Sequence, residues 1–83
     1  MNNMPHKIKI PGARRIKISS GYIKLDSLLK YAAVTSTGGE AKALIANGCV
    51  FVGGMPCSER GKKIKPGDNV RVGGEILIIA GNT

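Results

Sequence analysis

Two short groups of residues in this sequence have the types and the spacing needed to bind an anion. The first is residues 37–40, TGGE, which match the capping box that opens many helices, with a lysine two positions later. Glycines leave the free N–H groups of a first helical turn uncovered, and the helix dipole favours negative charge at that end. We therefore predict a phosphate-binding helix start. Its contact residues are Thr37, Gly38, Gly39 and Lys42.

Residues 58–65, SERGKKIK, form the second group, in which four basic residues accompany one acidic residue. A segment this charged is expected to be a solvent-exposed loop. If the loop folds back beside the helix start, the two groups form one concave basic face that suits a nucleic-acid backbone. The predicted contacts in the loop are Arg60, Lys62, Lys63 and Lys65.

The charge of the whole chain also indicates a polyanionic partner. The 83 residues include 13 Lys and Arg against 5 Asp and Glu, which gives a net charge of +8 and a pI near 9.9. This balance is typical of nucleic-acid-binding domains. Of the aromatic residues, Phe51 is expected to be buried and Tyr31 to lie at the edge of the core, so base stacking adds little. Recognition of a nucleic acid is therefore expected to depend on its shape and phosphate positions.

The sequence does not indicate an enzyme or a metalloprotein. The single histidine, His6, lies in the N-terminal arm, and the five acids are scattered without a carboxylate pair. The glycine pair and its lysine lack the Gly-Lys-Ser/Thr ending of a Walker loop. Cys49 and Cys57 are not spaced as a CxxC pair, so we expect reduced thiols, with Cys49 a small core residue on a strand. No catalytic residue, metal site or cofactor is predicted.

The distribution of apolar residues argues against a membrane protein. No apolar run approaches the roughly 20 residues of a membrane span. The basic N-terminus is not followed by the apolar segment and small-residue cleavage site of a secretory signal. We expect a cytosolic monomer.

Patterns along the chain predict one small α+β domain, with two helices packed on a small antiparallel sheet. Residues 1–15 are expected to be a flexible basic arm, residues 16–80 the domain, and residues 81–83 a tail. Expected elements are a strand at 16–18, a helix at 23–33, a helix from the capping box to Asn47-Gly48, a strand at 49–52 that turns at Gly53-Gly54 into a strand beginning at Met55, and a hairpin of 69–72 with 75–79.

The order and spacing of four motifs resemble a known family. They are Leu25-Asp26 followed by Leu28-Leu29, Gly39-Glu40-Ala41-Lys42 leading to Gly48, Val50-x-Val52-x-Gly54, and Ile64-x-Pro66-Gly67-Asp68-x-Val70. Together they resemble the RNA-binding domain named after small-subunit ribosomal protein S4, also called the alpha-L motif, over about residues 16–80. Residues 37–42 and 60–63 look like the small stand-alone bacterial branch, the YaaA/YbcJ-like proteins.

The resemblance implies a surface for structured RNA, commonly ribosomal RNA, and a role as an RNA adaptor or in ribosome assembly. In this family the second helix and its neighbouring loop contact the RNA. Many members carry an arginine just before the second helix, where this chain has Thr-Gly-Gly. Amides at the helix start and Lys42 would take its place. Carried over by position, Thr37, Gly38, Gly39 and Lys42 belong to the helix side, and Arg60, Lys62 and Lys63 to the loop side.

Two other functions use the same positive face. A module that binds duplex DNA without sequence preference needs no more than clustered cations. A protein-interaction module is the other alternative. Competition between duplex DNA and folded ribosomal RNA distinguishes the DNA module from an RNA-binding protein.

Overall fold

The computed structural model describes residues 13–81, which form two short helices and seven short strands. The predictions for residues 1–12, including the arm and His6, and for residues 82 and 83 lie outside the described residues. The elements in chain order are β1 (Ala13–Lys17), β2 (Ile23–Lys24), α1 (Leu25–Tyr31), α2 (Gly38–Ala46), β3 (Val50–Val52), β4 (Met55–Pro56), β5 (Lys63–Ile64), β6 (Asn69–Val72) and β7 (Glu75–Ala80).

The main sheet has five strands in the order β1-β7-β6-β3-β4, and β2 and β5 pair separately. The predicted α+β fold with two helices is confirmed. The sheet is mixed, however, because β1 runs parallel to β7 while the other neighbours are antiparallel. A parallel pair needs a long crossover, and here the chain between the first and last strands, with both helices in it, supplies that connection.

One hydrophobic core lies between the helices and one face of the main sheet. Side chains along a strand alternate between faces, so β6 buries Val70 and Val72 and exposes Asn69 and Arg71. We call the face turned away from the helices the open face. The buried apolar residues of the core are Ile16, Ile18, Leu25, Leu28, Leu29, Ala32, Ala41, Ile45, Val50, Ile64, Val70, Val72, Leu77 and Ile79.

The two predicted glycine turns are confirmed. Gly53 and Gly54 both have positive φ, 58° and 84°, and connect β3 to β4 in the manner of a type I′ turn. Gly73 has a φ of 60° and begins the two-residue turn between β6 and β7, as a type II′ turn requires. Both turns match the right-handed twist of their strands, which fixes the hairpin registers.

Helix α2 forms where the capping box predicted it. The Glu40 N–H donates to Thr37 Oγ1 at 3.1 Å, and the Glu40 carboxylate accepts from the N–H of Ser36 at 2.7 Å, one residue before the usual partner. At the other end Gly48 has a φ of 76°, and the Cys49 N–H donates to the Leu44 carbonyl at 3.1 Å. Local sequence signals therefore define both ends of this helix.

Helix α1 is shorter than the predicted helix at 23–33. Its first two predicted residues, Ile23 and Lys24, pair with β5 as a strand instead. The helix ends in a left-handed residue, Ala33, with a φ of 59°, and the Val34 N–H donates to the Leu29 carbonyl at 2.9 Å. Tertiary pairing therefore overrode the helical pattern at the N-terminal end.

Strand β1 begins earlier than predicted, and a side chain on it ties the strand to α1. Residues 13–15, expected in the arm, belong to β1. The Arg14 guanidinium donates to the Glu75 carboxylate at 3.0 Å and to the Ala32 carbonyl at 2.7 Å, so it joins β7 to the C-terminal end of α1. A cation at that end is favourable because the helix dipole is negative there.

Three sequence-based burial predictions are wrong in detail. Cys49 is exposed, because Val50 occupies the core-facing position at the start of β3. Phe51 is half-buried on the open face, where the Arg71 guanidinium lies 4.5 Å from the ring centroid. Tyr31 is 62% exposed, and its hydroxyl donates to the Lys17 carbonyl at 3.0 Å.

Candidate nucleic-acid interface

The basic segment, residues 58–65, is more ordered than the predicted loop. Its Ile64 is fully buried in the core, and Lys63 and Ile64 form β5, which pairs antiparallel with β2. The prediction of a wholly exposed loop is therefore wrong at this end, because one aliphatic residue among the cations is enough to anchor the strand. The neighbouring lysine side chains stay exposed.

Backbone hydrogen bonds fix the basic segment against the N-terminal end of α1. The Leu25 N–H donates to the Lys62 carbonyl at 2.9 Å, and the Asp26 N–H donates to the Arg60 carbonyl at 3.1 Å. No side chain caps this end of the helix, so the two carbonyls satisfy N–H groups that otherwise lack partners. The segment is held through its main chain, which leaves its charged side chains available to a ligand.

A lysine outside the predicted site joins the basic segment. Lys24 lies directly opposite Lys63 in the β2–β5 pair, and like charges in that position destabilise a sheet. The Lys63 ammonium also lies 5.0 Å from the centroid of the Tyr22 ring, which is 42% exposed. An anion bound between the lysines would relieve their repulsion.

The sequence placed Lys24 at a polar position flanking the first helix, where solvation and RNA contact were equal alternatives, and Lys24 was not included in the predicted site. A two-residue strand has no periodicity to reveal its partner, so the sequence carried no signal for the Lys24–Lys63 pair beyond the charges themselves. The one ion pair within residues 13–81 joins Arg14 and Glu75. The cations of the basic segment therefore have no carboxylate partner in this part of the chain.

At the start of α2, the structure brings together the four predicted contacts of the helix group. Thr37, Gly38, Gly39 and Lys42 are all exposed, and Lys42 lies four residues after Gly38, on the same face of the helix. Thr37 itself is the N-cap, so its hydroxyl is engaged with the Glu40 N–H.

The fold does not require either glycine at the start of α2. Neither has a positive φ, and a Cβ added at Gly38 would meet nothing within 4 Å. A Cβ at Gly39 would meet only Thr37 Oγ1, at 3.8 Å, which is an ordinary contact. Glycine is less favourable than alanine in a helix, so its presence here is better explained by access to the N–H groups of the first turn.

The helix group and the basic segment are related through α1. The basic segment is fixed at the N-terminal end of α1, and residues 32–37 join its C-terminal end to the start of α2. A seven-residue helix is about 10 Å long, or about three steps of a nucleic-acid strand at 3.4 Å each. Within each group, the structure places the predicted residues close together. That the start of α2 and the basic segment form one continuous face stays a prediction.

Three of the predicted lysines share a concave surface. Lys62, Lys63 and Lys65 line a groove of about 580 Å³ that is also lined by residues of the β3–β4 hairpin. We call this the hairpin groove. Arg60 is not among its lining residues.

The described residues also bear on metal and membrane binding. Within residues 13–81, no group of three or more His, Cys, Asp or Glu side chains is placed to hold a metal ion. Neither described helix has the length and apolar character of a membrane span.

Comparison with known proteins gives a family match. The family model described as S4 domain matches residues 16–80 of the 83 residues. No curated protein matches the chain.

Proposed function

The chain belongs to the S4 domain family, whose members are generally RNA-binding, and we propose that it binds structured RNA, with ribosomal RNA as its target. The proposed RNA contacts are the start of α2 and the basic segment, together with Lys24, which lies opposite Lys63. The observation that carries this proposal is the main-chain attachment of residues 60 and 62 to α1, which positions exposed cations without carboxylate partners in residues 13–81.

The proposed role is that of a non-catalytic, cytoplasmic adaptor that acts as a monomer, with ribosomal particles as its setting. S4 domains are RNA-binding modules rather than catalytic ones, which supports a binding function. A net charge of +8 favours association with large polyanions and disfavours self-association at low salt. The hydrolytic and transfer chemistries that need a paired acid and base have no support in the sequence.

Removing single cations is expected to weaken RNA binding without changing stability. Lys42→Ala and Arg60→Ala should each weaken binding to structured ribosomal RNA several-fold, because each loses a phosphate contact, and both should keep the thermal midpoint of the wild type. Filter binding and thermal unfolding measure the two quantities. Lys17→Ala, a lysine on β1 flanked by the buried Ile16 and Ile18, is the matched control and should bind like the wild type.

Salt dependence and competition test the class of ligand. With about five phosphates contacted, the logarithm of affinity should fall with the logarithm of salt concentration at a slope of roughly −3.5. Folded ribosomal RNA should displace a duplex DNA of equal length at physiological salt. Equal competition by the DNA would favour the nonspecific DNA-binding module instead. Unchanged RNA affinity in both Lys42→Ala and Arg60→Ala would show that these residues do not form the RNA-binding face.

The glycines of α2 provide a second test in which binding and stability move in opposite directions. The double variant Gly38→Ala, Gly39→Ala should unfold at the same or a higher temperature, because alanine is favoured over glycine in a helix by up to about 1 kcal/mol per site. RNA affinity should fall, because the added methyl groups hinder the approach of a phosphate to the N–H groups. Thermal unfolding and filter binding on one preparation give both values, and unchanged affinity would exclude the helix start from the interface.

A further inference from the structure

The hairpin groove is lined by residues of two chemically different kinds. Val52, Met55 and Pro56 belong to the hairpin, and the lysines belong to the basic segment and to the turn at residues 65–68. Its volume of about 580 Å³ falls within the range of pockets that hold small organic ligands, about 300 to 1,000 Å³. The groove is therefore large enough for one nucleotide and too small for a duplex.

The hairpin side offers an apolar surface that the core does not use. Met55 is 68% exposed, the highest value among the large apolar side chains of residues 13–81 that lie on the surface. Its strand partner Val52 is partly buried and packs against the core, so it supplies an apolar surface held in place beside the exposed Met55 thioether. Methionine side chains adapt to irregular partners, and their sulfur makes favourable contacts with aromatic rings.

The lysines that line the groove outnumber its acids by three to two. Of the two acids at the groove, Asp68 is engaged in its own turn, where its carboxylate accepts the N–H of Lys65 at 2.8 Å. Glu59 is exposed and also lines the groove. Lys62, Lys63 and Lys65 are exposed as well, so the groove combines a small excess of positive charge with apolar hairpin residues in a space of nucleotide size.

We propose that the hairpin groove binds one unpaired nucleotide that projects from the bound RNA, with its base against Met55 and Val52 and its phosphates at the lysines. This inference rests on the proposed function and adds to it a preference for RNA that carries a bulged or looped-out base. A fully paired helix presents a regular backbone with no side group to enter the groove. A base that is already unpaired enters without the energy needed to break a pair.

This placement differs from recognition by aromatic stacking. The chain has few aromatic residues, and Phe51 lies on the open face under Arg71, away from the groove. An aliphatic and thioether wall supports the face of any base, so we expect a preference for an unpaired nucleotide over a paired one and little preference among the four bases.

Two RNA hairpins with the same stem, one of them carrying a single bulged adenosine, provide the test. The wild-type chain should bind the bulged hairpin about tenfold more tightly at physiological salt, as expected for partial burial of one methionine side chain against the base. Met55→Ser should reduce this ratio to less than about threefold and leave affinity for the paired hairpin unchanged. Met55→Leu should retain most of the preference. Ile78→Ser, which replaces an apolar residue 42% exposed on the open face, should retain all of it.

A fluorescent base analogue, 2-aminopurine at the bulge, gives a second readout on the same complexes. Its emission should change on binding to the wild type and to Ile78→Ser, and the change should be lost with Met55→Ser. Equal affinity for the two hairpins, or an equal loss of preference in Met55→Ser and Ile78→Ser, would overturn the groove assignment while RNA binding stands. Failure to bind either hairpin would count against the proposed function itself.

Discussion

Replacing Ile64 with alanine is expected to lower the free energy of unfolding by about 2 to 5 kcal/mol. Ile64 is fully buried, and it is the residue through which the basic segment enters the core. The substitution removes apolar surface and leaves a cavity in the core cluster, which also contains Leu25, the first residue of α1. Domains of this size are only marginally stable, so this loss is a large part of the total.

Urea denaturation measures the loss, and Ile78→Ala is the matched control. Ile78 is also an isoleucine on a strand, but it is 42% exposed on the open face, so its replacement should cost less than about 1 kcal/mol. RNA affinity measured under native conditions should fall in Ile64→Ala, because the segment that carries the cations loses its anchor. Equal destabilisation by the two variants would contradict the assigned burial of β5.

Replacing Lys24 with glutamate is expected to stabilise the fold slightly and to weaken RNA binding at least tenfold. Lys24 lies opposite Lys63, so the change replaces a like-charge pair with an opposite-charge pair, worth about 0.2 to 1 kcal/mol. The new carboxylate also stands at the N-terminal end of α1, where the helix dipole favours it. For the RNA, a cation is replaced by an anion that repels phosphate.

Lys17→Glu is the control for this variant, because it changes the net charge by the same amount on the open-face side of β1. It should lower RNA affinity far less than Lys24→Glu does. The slope of the logarithm of affinity against the logarithm of salt concentration should also become shallower by about 0.7 in Lys24→Glu, because one phosphate contact is lost. In Lys17→Glu this slope should stay near the wild-type value. If both variants weaken binding equally, only net charge matters and Lys24 is not at the interface.

The parts of the fold that the sequence predicted well are those set by local signals. The capping box and the Asn47-Gly48 stop predicted α2, and the paired glycines predicted both hairpin turns, because each feature depends on residues close in the chain. The parallel pairing of β1 with β7 has no such signal. It joins the two ends of the described chain, so it depends on how the intervening elements pack.

Burial was hardest to predict where a shift of one residue changes the answer. Side chains on a strand alternate, so placing the start of β3 at Cys49 rather than Val50 assigns the wrong residue to the core. The basic segment shows the same difficulty, since Ile64 is buried between two exposed lysines. Composition identified the segment as charged but did not show that it contains a strand.

The candidate site could be predicted as a set of charges and not as a surface. The lysines and the helix start were visible from residue types and spacing. Lys24 and the hairpin groove were not, because each depends on elements that meet only in the folded chain. The glycines at 38 and 39 were predicted as contacts from the sequence, and the structure adds that the backbone there does not need them.

Amide chemical shifts recorded while a structured RNA hairpin is added test most directly whether the α2 start and the basic segment form one RNA-binding face. We predict that the amide signals of residues 37–42 and 60–65 shift together at the same RNA concentrations. The amide signals of Lys17, Arg71 and Ile78, on the open face, should not shift. Shifts confined to one of the two groups, or centred on the open face, would contradict a single RNA-binding face that spans α1.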